Sequence, residues 1–262
     1  MKIGITERGD ASIDFSWVDA LINKTVDGAI LITKHITAEF IAKVMELYRS
    51  GITQIIVHCT CTGWGGTELE PCVPLYSDQL KGLANLINCG FPLSHCVLRI
   101  DPIIPTQEGI NKAISVINKA YDMGFLPSMR VRISIYDEYN HVKERLRHMG
   151  KEPIYNNSFF APYHMMNNVI TSLSTYNDIT FETCAEDMVA ANSDRFIATG
   201  CVSSKDISIM NLTHPTITSE NGQNRHGCHC LTCKTELLTR RAQCPNGCVY
   251  CYWKPTTQRN QR

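Results

Sequence analysis

Residues 28–60 read GAILITKHITAEFIAKVMELYRSGITQIIVHCT and contain one complete strand–helix–strand unit. The apolar runs at 28–33 and 54–60 predict strands covered on both faces, as in parallel sheets. Between them, Thr37 can cap a helix whose apolar residues recur every three to four positions, and Gly51 can end it. Strands joined through a helix in this way pair in parallel, so the stretch predicts an α/β fold.

The same alternation continues along the rest of the chain. One further helix is predicted between a Ser77 cap and Gly90, and another between a Thr106 cap and Gly124. Further apolar runs predict strands at 2–6, 95–101, 129–135, 178–183, 196–201 and 235–239.

Eight strands in a chain of 262 residues favour a partial or complete TIM-like (β/α) barrel over a separate second domain. Residues 1–210 would form the body of this barrel. Residues 211–262 would form a cysteine-rich C-terminal segment that completes the same domain.

The amino-acid composition argues against disordered, membrane-spanning and secreted proteins. Hydrophobic residues make up 44% and charged residues 19%, as in globular proteins, so global disorder is excluded. No run approaches 18 apolar residues, so neither a transmembrane helix nor a membrane partner is expected. The start, MKIGITERGD, lacks the apolar core of a signal peptide, which predicts a cytoplasmic protein. The 25 basic residues balance 25 acidic ones, which gives no support to a strongly basic nucleic-acid surface.

Cysteine is the anomalous residue. Thirteen cysteines cannot all pair within one chain, and six of them fall between 228 and 251. Such density in a cytoplasmic protein suggests metal. The last three, Cys244, Cys248 and Cys251, have the spacing C-x3-C-x2-C. Three thiolates can hold three irons of a 4Fe–4S cluster and leave the fourth open, whereas structural zinc takes four ligands, so iron–sulfur is favoured over zinc.

This triplet, which follows a predicted strand and has Tyr250 before its third cysteine, resembles the motif of the radical S-adenosylmethionine (SAM) superfamily. More specifically, the chain resembles a bacterial and phage family named for a domain of unknown function. That family carries its radical-SAM-like motif at the C-terminus and is distantly similar to spore photoproduct lyase. The stretches that carry this resemblance include Glu7-Arg8-Gly9-Asp10, Ile32-Thr33-Lys34, Thr62-Gly63-Trp64-Gly65, Arg99-Ile100-Asp101-Pro102, Cys184-Ala185-Glu186, Cys228-His229-Cys230 and Tyr250-Cys251-Tyr252.

The resemblance implies a circularly permuted radical SAM barrel, in which the strand at 235–239 pairs beside the strand at 2–6. It also implies an enzyme that binds a 4Fe–4S cluster at the triplet and S-adenosylmethionine at the open iron. One-electron reduction, from a donor such as flavodoxin or ferredoxin, would split that cofactor to a radical that abstracts hydrogen from an unknown substrate. The resemblance leaves nucleic acid open as a partner, although the charge does not support it.

A second cysteine group, Cys228, Cys230 and Cys233, lies upstream of the triplet. These residues are candidate ligands of a second iron–sulfur cluster or of zinc, completed by Cys184 or Cys201 at strand ends. The alternative is that they are free thiols, which are common as small buried residues.

Polar residues that follow barrel strands line the mouth where barrel active sites lie. Arg99 and Asp101 alternate around Ile100, so they share one face of a strand, either to hold a ligand or to pair and support the barrel. The catalytic candidates are Arg99, Asp101, Glu186 and Glu70. The cofactor-binding candidates are Lys34, Thr62 and Tyr250.

Two rival interpretations stay open. In the first, the C-terminal cysteines make zinc or iron–sulfur sites in a module with a structural or nucleic-acid-binding role. In the second, a hydrolase or lyase uses Glu70, Asp101 and Glu186, and its cluster is purely structural.

Overall fold

An eight-stranded parallel sheet, curled into a half-barrel, organises the chain. The computed structural model describes residues 1–155, 158–191, 193–212, 228–239 and 244–253. The strands are β1 (Ile3–Ile5), β2 (Gly28–Thr33), β3 (Ile55–Thr60), β4 (Cys96–Ile103), β5 (Arg130–Ile135), β6 (Phe181–Cys184), β7 (Phe196–Thr199) and β8 (Lys234–Glu236). Their order is β7-β6-β5-β4-β3-β2-β1-β8, and β7 and β8 form the two edges within the described residues. The α/β fold and all eight predicted strands are therefore confirmed, and the barrel is partial.

Helices connect the strands, and most of those in the described ranges pack against the convex face of the sheet. They are α1 (Ser16–Ile22), α2 (Ala38–Arg49), α3 (Tyr76–Asn88), α4 (Gln107–Asp122), α5 (Asn140–His148), α6 (Tyr163–Leu173), α7 (Asp187–Ala190) and α8 (Ser204–Ile209). No helix in the described ranges is both long and apolar enough to cross a membrane.

Two of the three predicted helix caps are confirmed. Thr37 accepts a hydrogen bond from the Phe40 amide at 3.0 Å, and Thr106 accepts one from the Gly109 amide at 3.2 Å. The predicted cap at Ser77 is wrong, because α3 begins earlier, at Tyr76. The Leu75 carbonyl already accepts from the Gln79 amide at 3.0 Å, so a cap at Ser77 would have no free donor there.

Strand alternation gives the sheet two different faces: an apolar convex face under the helices and a concave face of mixed character. On β3, Val57 and Cys59 belong to the core under the helices, whereas His58 belongs to the opposite, concave side. Ile30, Ile56, Val97, Cys184 and Cys201 form a second buried cluster on that concave side. The inner face of the half-barrel therefore mixes apolar residues with the thiols and charges described below.

The C-terminal segment joins the open side of the sheet. β8 pairs in parallel with β1, with Ile3 opposite Lys234, which confirms the predicted pairing of the last strand beside the first. Just before β8, the Leu231 amide donates to the Val202 carbonyl at 3.0 Å. The cysteine-rich segment thus contacts the chain after β7 and then continues into β8.

Candidate active site

A cavity of about 590 Å³ opens at the carboxyl ends of the strands, on the concave side of the half-barrel. Parallel strands direct the residues at their carboxyl ends to this mouth. Of the predicted site residues, those on its wall are Lys34, Arg99, Asp101, Cys184, Cys228, Cys230, Cys244, Cys248, Tyr250 and Cys251. The others, Thr62, Glu70, Glu186 and Cys233, are not part of this wall.

The loop that carries the triplet is held by hydrogen bonds at several points. The Val249 amide donates to the Leu69 carbonyl at 2.9 Å, and the Asn246 amide group donates to Asp10 at 2.8 Å. Gly247 adopts a φ of +69°, a conformation that favours glycine, between the first two cysteines. These contacts hold the loop so that all three thiols line the cavity.

Burial keeps the thiols of Cys244 and Cys248 neutral in the absence of a bound cation. It raises the pKa of Cys244 to about 11 and that of Cys248 to about 12, although the nearby Lys34 ammonium lowers both. The neighbouring Cys251 raises both pKa values further.

The donor set of the triplet fits an iron–sulfur cluster. Among the described residues, no group of three or more His, Cys, Asp or Glu side chains is already arranged to hold a metal ion. The three thiols nevertheless lie on one short loop and line one cavity, and thiolates are the ligands that iron–sulfur clusters take.

A buried polar network lies beside the triplet. Lys34 Nζ is 2.6 Å from Glu70 Oε1 and 2.9 Å from the Tyr250 hydroxyl, which also donates to Glu70. Thr62 donates to the other Glu70 oxygen at 2.8 Å. Burial alone would lower the pKa of Lys34, but Glu70 and Cys248 raise it above its ordinary value, so the ammonium stays charged. Glu70 and Thr62 therefore act on the cavity through Lys34 and Tyr250.

Arg99 and Asp101 pair with each other, which is one of the two alternatives left open by their place on one face of a strand. Arg99 Nε lies 2.8 Å from Asp101 Oδ2, and both side chains line the cavity. Arg99 also points Nη1 toward the sulfur of Cys201 at 3.5 Å. The pair thus presents a guanidinium and a carboxylate together at the mouth.

Glu186 takes a different position. Its Oε1 accepts from the Ile135 amide at 2.7 Å, and it occupies the N-cap position of α7. This contact ties the end of β5 to the turn after β6.

The second group of thiols comes together on another part of the cavity wall. Cys184 Sγ and Cys201 Sγ are 3.4 Å apart, and the Cys201 amide donates to Cys230 Sγ at 3.1 Å. Cys228, two residues before Cys230, lines the same cavity. Hydrogen bonds from Cys184 and Cys230 lower the pKa of Cys201 well below its ordinary value. Cys233 does not join this group, because it lies off the cavity wall and its carbonyl pairs with the Ile3 amide.

A family model covers most of the chain. The model described as "Domain of unknown function (DUF1848)" matches residues 16–253, a stretch from α1 through both cysteine groups. The chain belongs to the DUF1848 family. This confirms the expected membership of a family named for a domain of unknown function. No curated protein and no solved structure matches the chain.

The structure adds residues to the DUF1848 site for which the sequence predicted no specific role. Asp10 accepts hydrogen bonds from Thr33, Asn246 and the Lys34 amide, and so connects β2 with the triplet loop. Its position after β1 was the available signal. Lys234, whose Nζ is 3.8 Å from Cys230 Sγ, could have been found only from its place at the start of β8.

His58 is another missed residue. It is fully buried on the concave side, and neither ring nitrogen has a hydrogen-bond partner in the described part of the chain. Burial, followed by the charges of Arg132 and Arg99, holds its pKa well below the ordinary value, so the ring stays neutral. His58 lies two residues from both Ile56 and Thr60 on β3, so the three side chains share one face of the strand. This spacing was the signal for an inward position.

Aromatic side chains form one rim of the DUF1848 cavity. The Arg8 guanidinium lies 4.0 Å from the Trp253 ring centroid, and Tyr252 stacks on Tyr139 with centroids 5.8 Å apart. All four side chains line the cavity. Flat rings beside a cation can accept a planar base or a charged ligand.

Proposed function

We propose that this protein is a radical SAM-type enzyme, with a 4Fe–4S cluster on Cys244, Cys248 and Cys251. The observation that carries the proposal is that all three thiols of the C-x3-C-x2-C motif line one cavity at the carboxyl ends of a parallel half-barrel. The pairing of β8 beside β1 adds support, since the motif then follows a strand of the same sheet. The substrate is unassigned.

When bound, the cluster would supply the electron that cleaves S-adenosylmethionine to the radical that attacks the substrate. The three cysteines would hold the cluster and leave one iron for the cofactor. Lys34, kept charged by Glu70, would offset the negative charge of the thiolates from inside the wall. Tyr250 and Thr62 would position Glu70 and, through it, Lys34.

The remaining wall offers partners for the polar groups of S-adenosylmethionine. Asp101 would accept its ammonium group, and Arg99 would bind its carboxylate. Trp253 and Tyr252 would stack on the adenine ring, since they line the cavity beside the triplet. We also propose a cytoplasmic enzyme reduced by a flavodoxin or ferredoxin, because thiol clusters need a reducing compartment.

The rival hydrolase or lyase has weaker support. Glu70 is paired with Lys34, Asp101 is paired with Arg99, and Glu186 accepts from the Ile135 amide. A general acid or base must reach the substrate, and only Asp101 of the three carboxylates lines the cavity.

Anaerobic reconstitution of the full chain tests the proposal. We expect the unsubstituted chain to hold about four more irons than the Cys244→Ala/Cys248→Ala/Cys251→Ala variant, and to form 5′-deoxyadenosine only with dithionite. Cys89→Ala is the matched control, because Cys89 is exposed at the end of α3, and it should change neither quantity. Equal iron in both chains, or no 5′-deoxyadenosine from the iron-loaded chain, would refute the proposal.

A further inference from the structure

We propose that Cys184, Cys201, Cys228 and Cys230 form a second metal centre, a four-cysteine site for a thiophilic metal, separate from the triplet. The four residues come from three distant parts of the chain. Cys184 ends β6, Cys201 follows β7, and the other two precede β8. The pairing of β6 with β7 places Cys184 near Cys201, and the curvature of the sheet brings the segment before β8 to them.

The four thiols lie on one part of the cavity wall. Cys184 Sγ lies 3.4 Å from Cys201 Sγ, and the Cys201 amide donates to Cys230 Sγ at 3.1 Å. Cys228 lies two residues before Cys230. All four residues are buried, and all four line the cavity. Four cysteine sulfurs that line one space are the ligand set used by tetrahedral zinc and by fully ligated iron–sulfur clusters.

Two cations flank these sulfurs. Arg99 Nη1 lies 3.5 Å from Cys201 Sγ, and Lys234 Nζ lies 3.8 Å from Cys230 Sγ. Four thiolates exceed the charge of a divalent ion, so the excess negative charge requires neighbouring cations and N–H donors. The Cys201 amide, 3.1 Å from Cys230 Sγ, is such a donor.

Gly200 lets two backbone segments of the proposed site approach closely. A Cβ on Gly200 would lie 2.5 Å from the backbone nitrogen and Cα of Cys230, so no other residue fits there without displacing Cys230. Gly200 therefore allows the strand that ends before Cys201 to touch the segment that carries Cys228 and Cys230. A metal bound by all four would link the two open edges of the half-barrel.

The convex side provides the contrast. Cys59 and Cys96 are also buried, but they pack among apolar side chains of the core under the helices and do not line the cavity. Cys96 is thus a matched buried thiol outside the proposed site.

The test uses the full chain with Cys244→Ala/Cys248→Ala/Cys251→Ala, which removes the triplet and keeps the second site. It is prepared without oxygen, with Zn²⁺ in one arm and with iron and sulfide in the other. We expect one stable centre in at least one arm. That centre would be either one zinc with four sulfurs at about 2.3 Å by X-ray absorption, or about four irons with matching sulfide. Adding Cys230→Ala should lower the bound metal at least fivefold, whereas adding Cys96→Ala should leave it unchanged. No bound metal in either arm, or an equal loss with Cys96→Ala, would overturn the proposal.

A second measurement avoids substitution in the site. Alkylation of the metal-loaded triplet variant, read by mass spectrometry, should label exposed Cys72 and Cys89 at the same rate with and without chelator. The four site thiols should react at least tenfold faster after chelation. The same rate before and after chelation would contradict a metal centre there. Neither outcome depends on the triplet, so the test separates this proposal from the proposed radical chemistry.

Discussion

The Lys34 ammonium lies 2.6 Å from a carboxylate oxygen of Glu70, in a pair buried beside the cysteine triplet. Breaking such a pair leaves a charge without its partner in a region that excludes water. We expect Glu70→Gln to lower the free energy of unfolding by about 3 kcal/mol, measured by urea denaturation. Glu46→Gln is the control, because its pair with Lys43 is largely exposed, and it should change stability by less than about 1 kcal/mol. Similar losses in the two variants would contradict this assignment.

Asp101 faces the cavity beside Arg99 and is the proposed partner of the ammonium group of S-adenosylmethionine. Asp101→Asn removes the negative charge and keeps the shape, so we expect an affinity about tenfold lower, the loss of one charge-assisted hydrogen bond. Equilibrium binding to the anaerobically reconstituted chain measures it. Asp187→Asn, outside the cavity wall, should leave the affinity unchanged. Unchanged affinity for Asp101→Asn would remove this residue from the proposed cofactor site.

Glu182 should make stability depend on acid pH. Burial alone would raise its pKa, but Arg132 and Arg130 outweigh burial and lower the pKa from 4.5 to about 2. Because the folded-state pKa lies below the unfolded value, the stabilisation is complete above pH 4.5 and is lost as the pH falls from 4.5 toward 2.

Denaturation of the unsubstituted chain across that window should therefore show a falling free energy of unfolding, on the order of 1–3 kcal/mol from this group. In Glu182→Gln the slope should be smaller, whatever the absolute stability. Glu108→Gln, at an exposed pair with Lys112, should keep the slope. An unchanged slope in Glu182→Gln would contradict the prediction.

Substitution of Gly200 should destabilise the fold more than substitution of a glycine that has open space around it. A Cβ there would meet the Cys230 backbone at 2.5 Å, whereas one at Gly90 meets nothing within 4 Å and only strains a φ of +100°. We expect Gly90→Ala to destabilise by about 1 kcal/mol and Gly200→Ala by about 3 kcal/mol. Hydrogen exchange should also rise at residues 228–234 in Gly200→Ala alone. Equal losses of stability in the two variants would show that residues 228–234 shift to accept the added methyl group at little energetic cost.

The two threonine caps and Ser77 provide a further test. Thr37→Ala removes an observed cap and should lower stability by about 1 kcal/mol in thermal or chemical denaturation. Ser77→Ala should have no measurable effect, because Ser77 lies inside the first turn of α3. A loss of about 1 kcal/mol for Ser77→Ala would show that the side chain caps after all.

The pairing of β8 beside β1 was implied by the family resemblance. Local patterns in the sequence were enough to predict the strands and two helix caps. These features depend on the periods of the strand and the helix and on which side chain can satisfy a nearby amide. The Ser77 cap was wrong because a backbone carbonyl, that of Leu75, had already taken the Gln79 amide. Competition between backbone and side-chain acceptors is not visible in a sequence pattern.

The sequence by itself determined that three cysteines lie on one short loop after the last strand, because spacing along the chain limits how far apart they can be. Only the tertiary structure decided that Cys201, and not Cys233, contacts Cys184 and Cys230. It also decided that Glu70 acts from behind the cavity wall. Those relationships depend on where the ends of separate strands meet as the sheet curls, and that curvature is set by packing across the whole half-barrel.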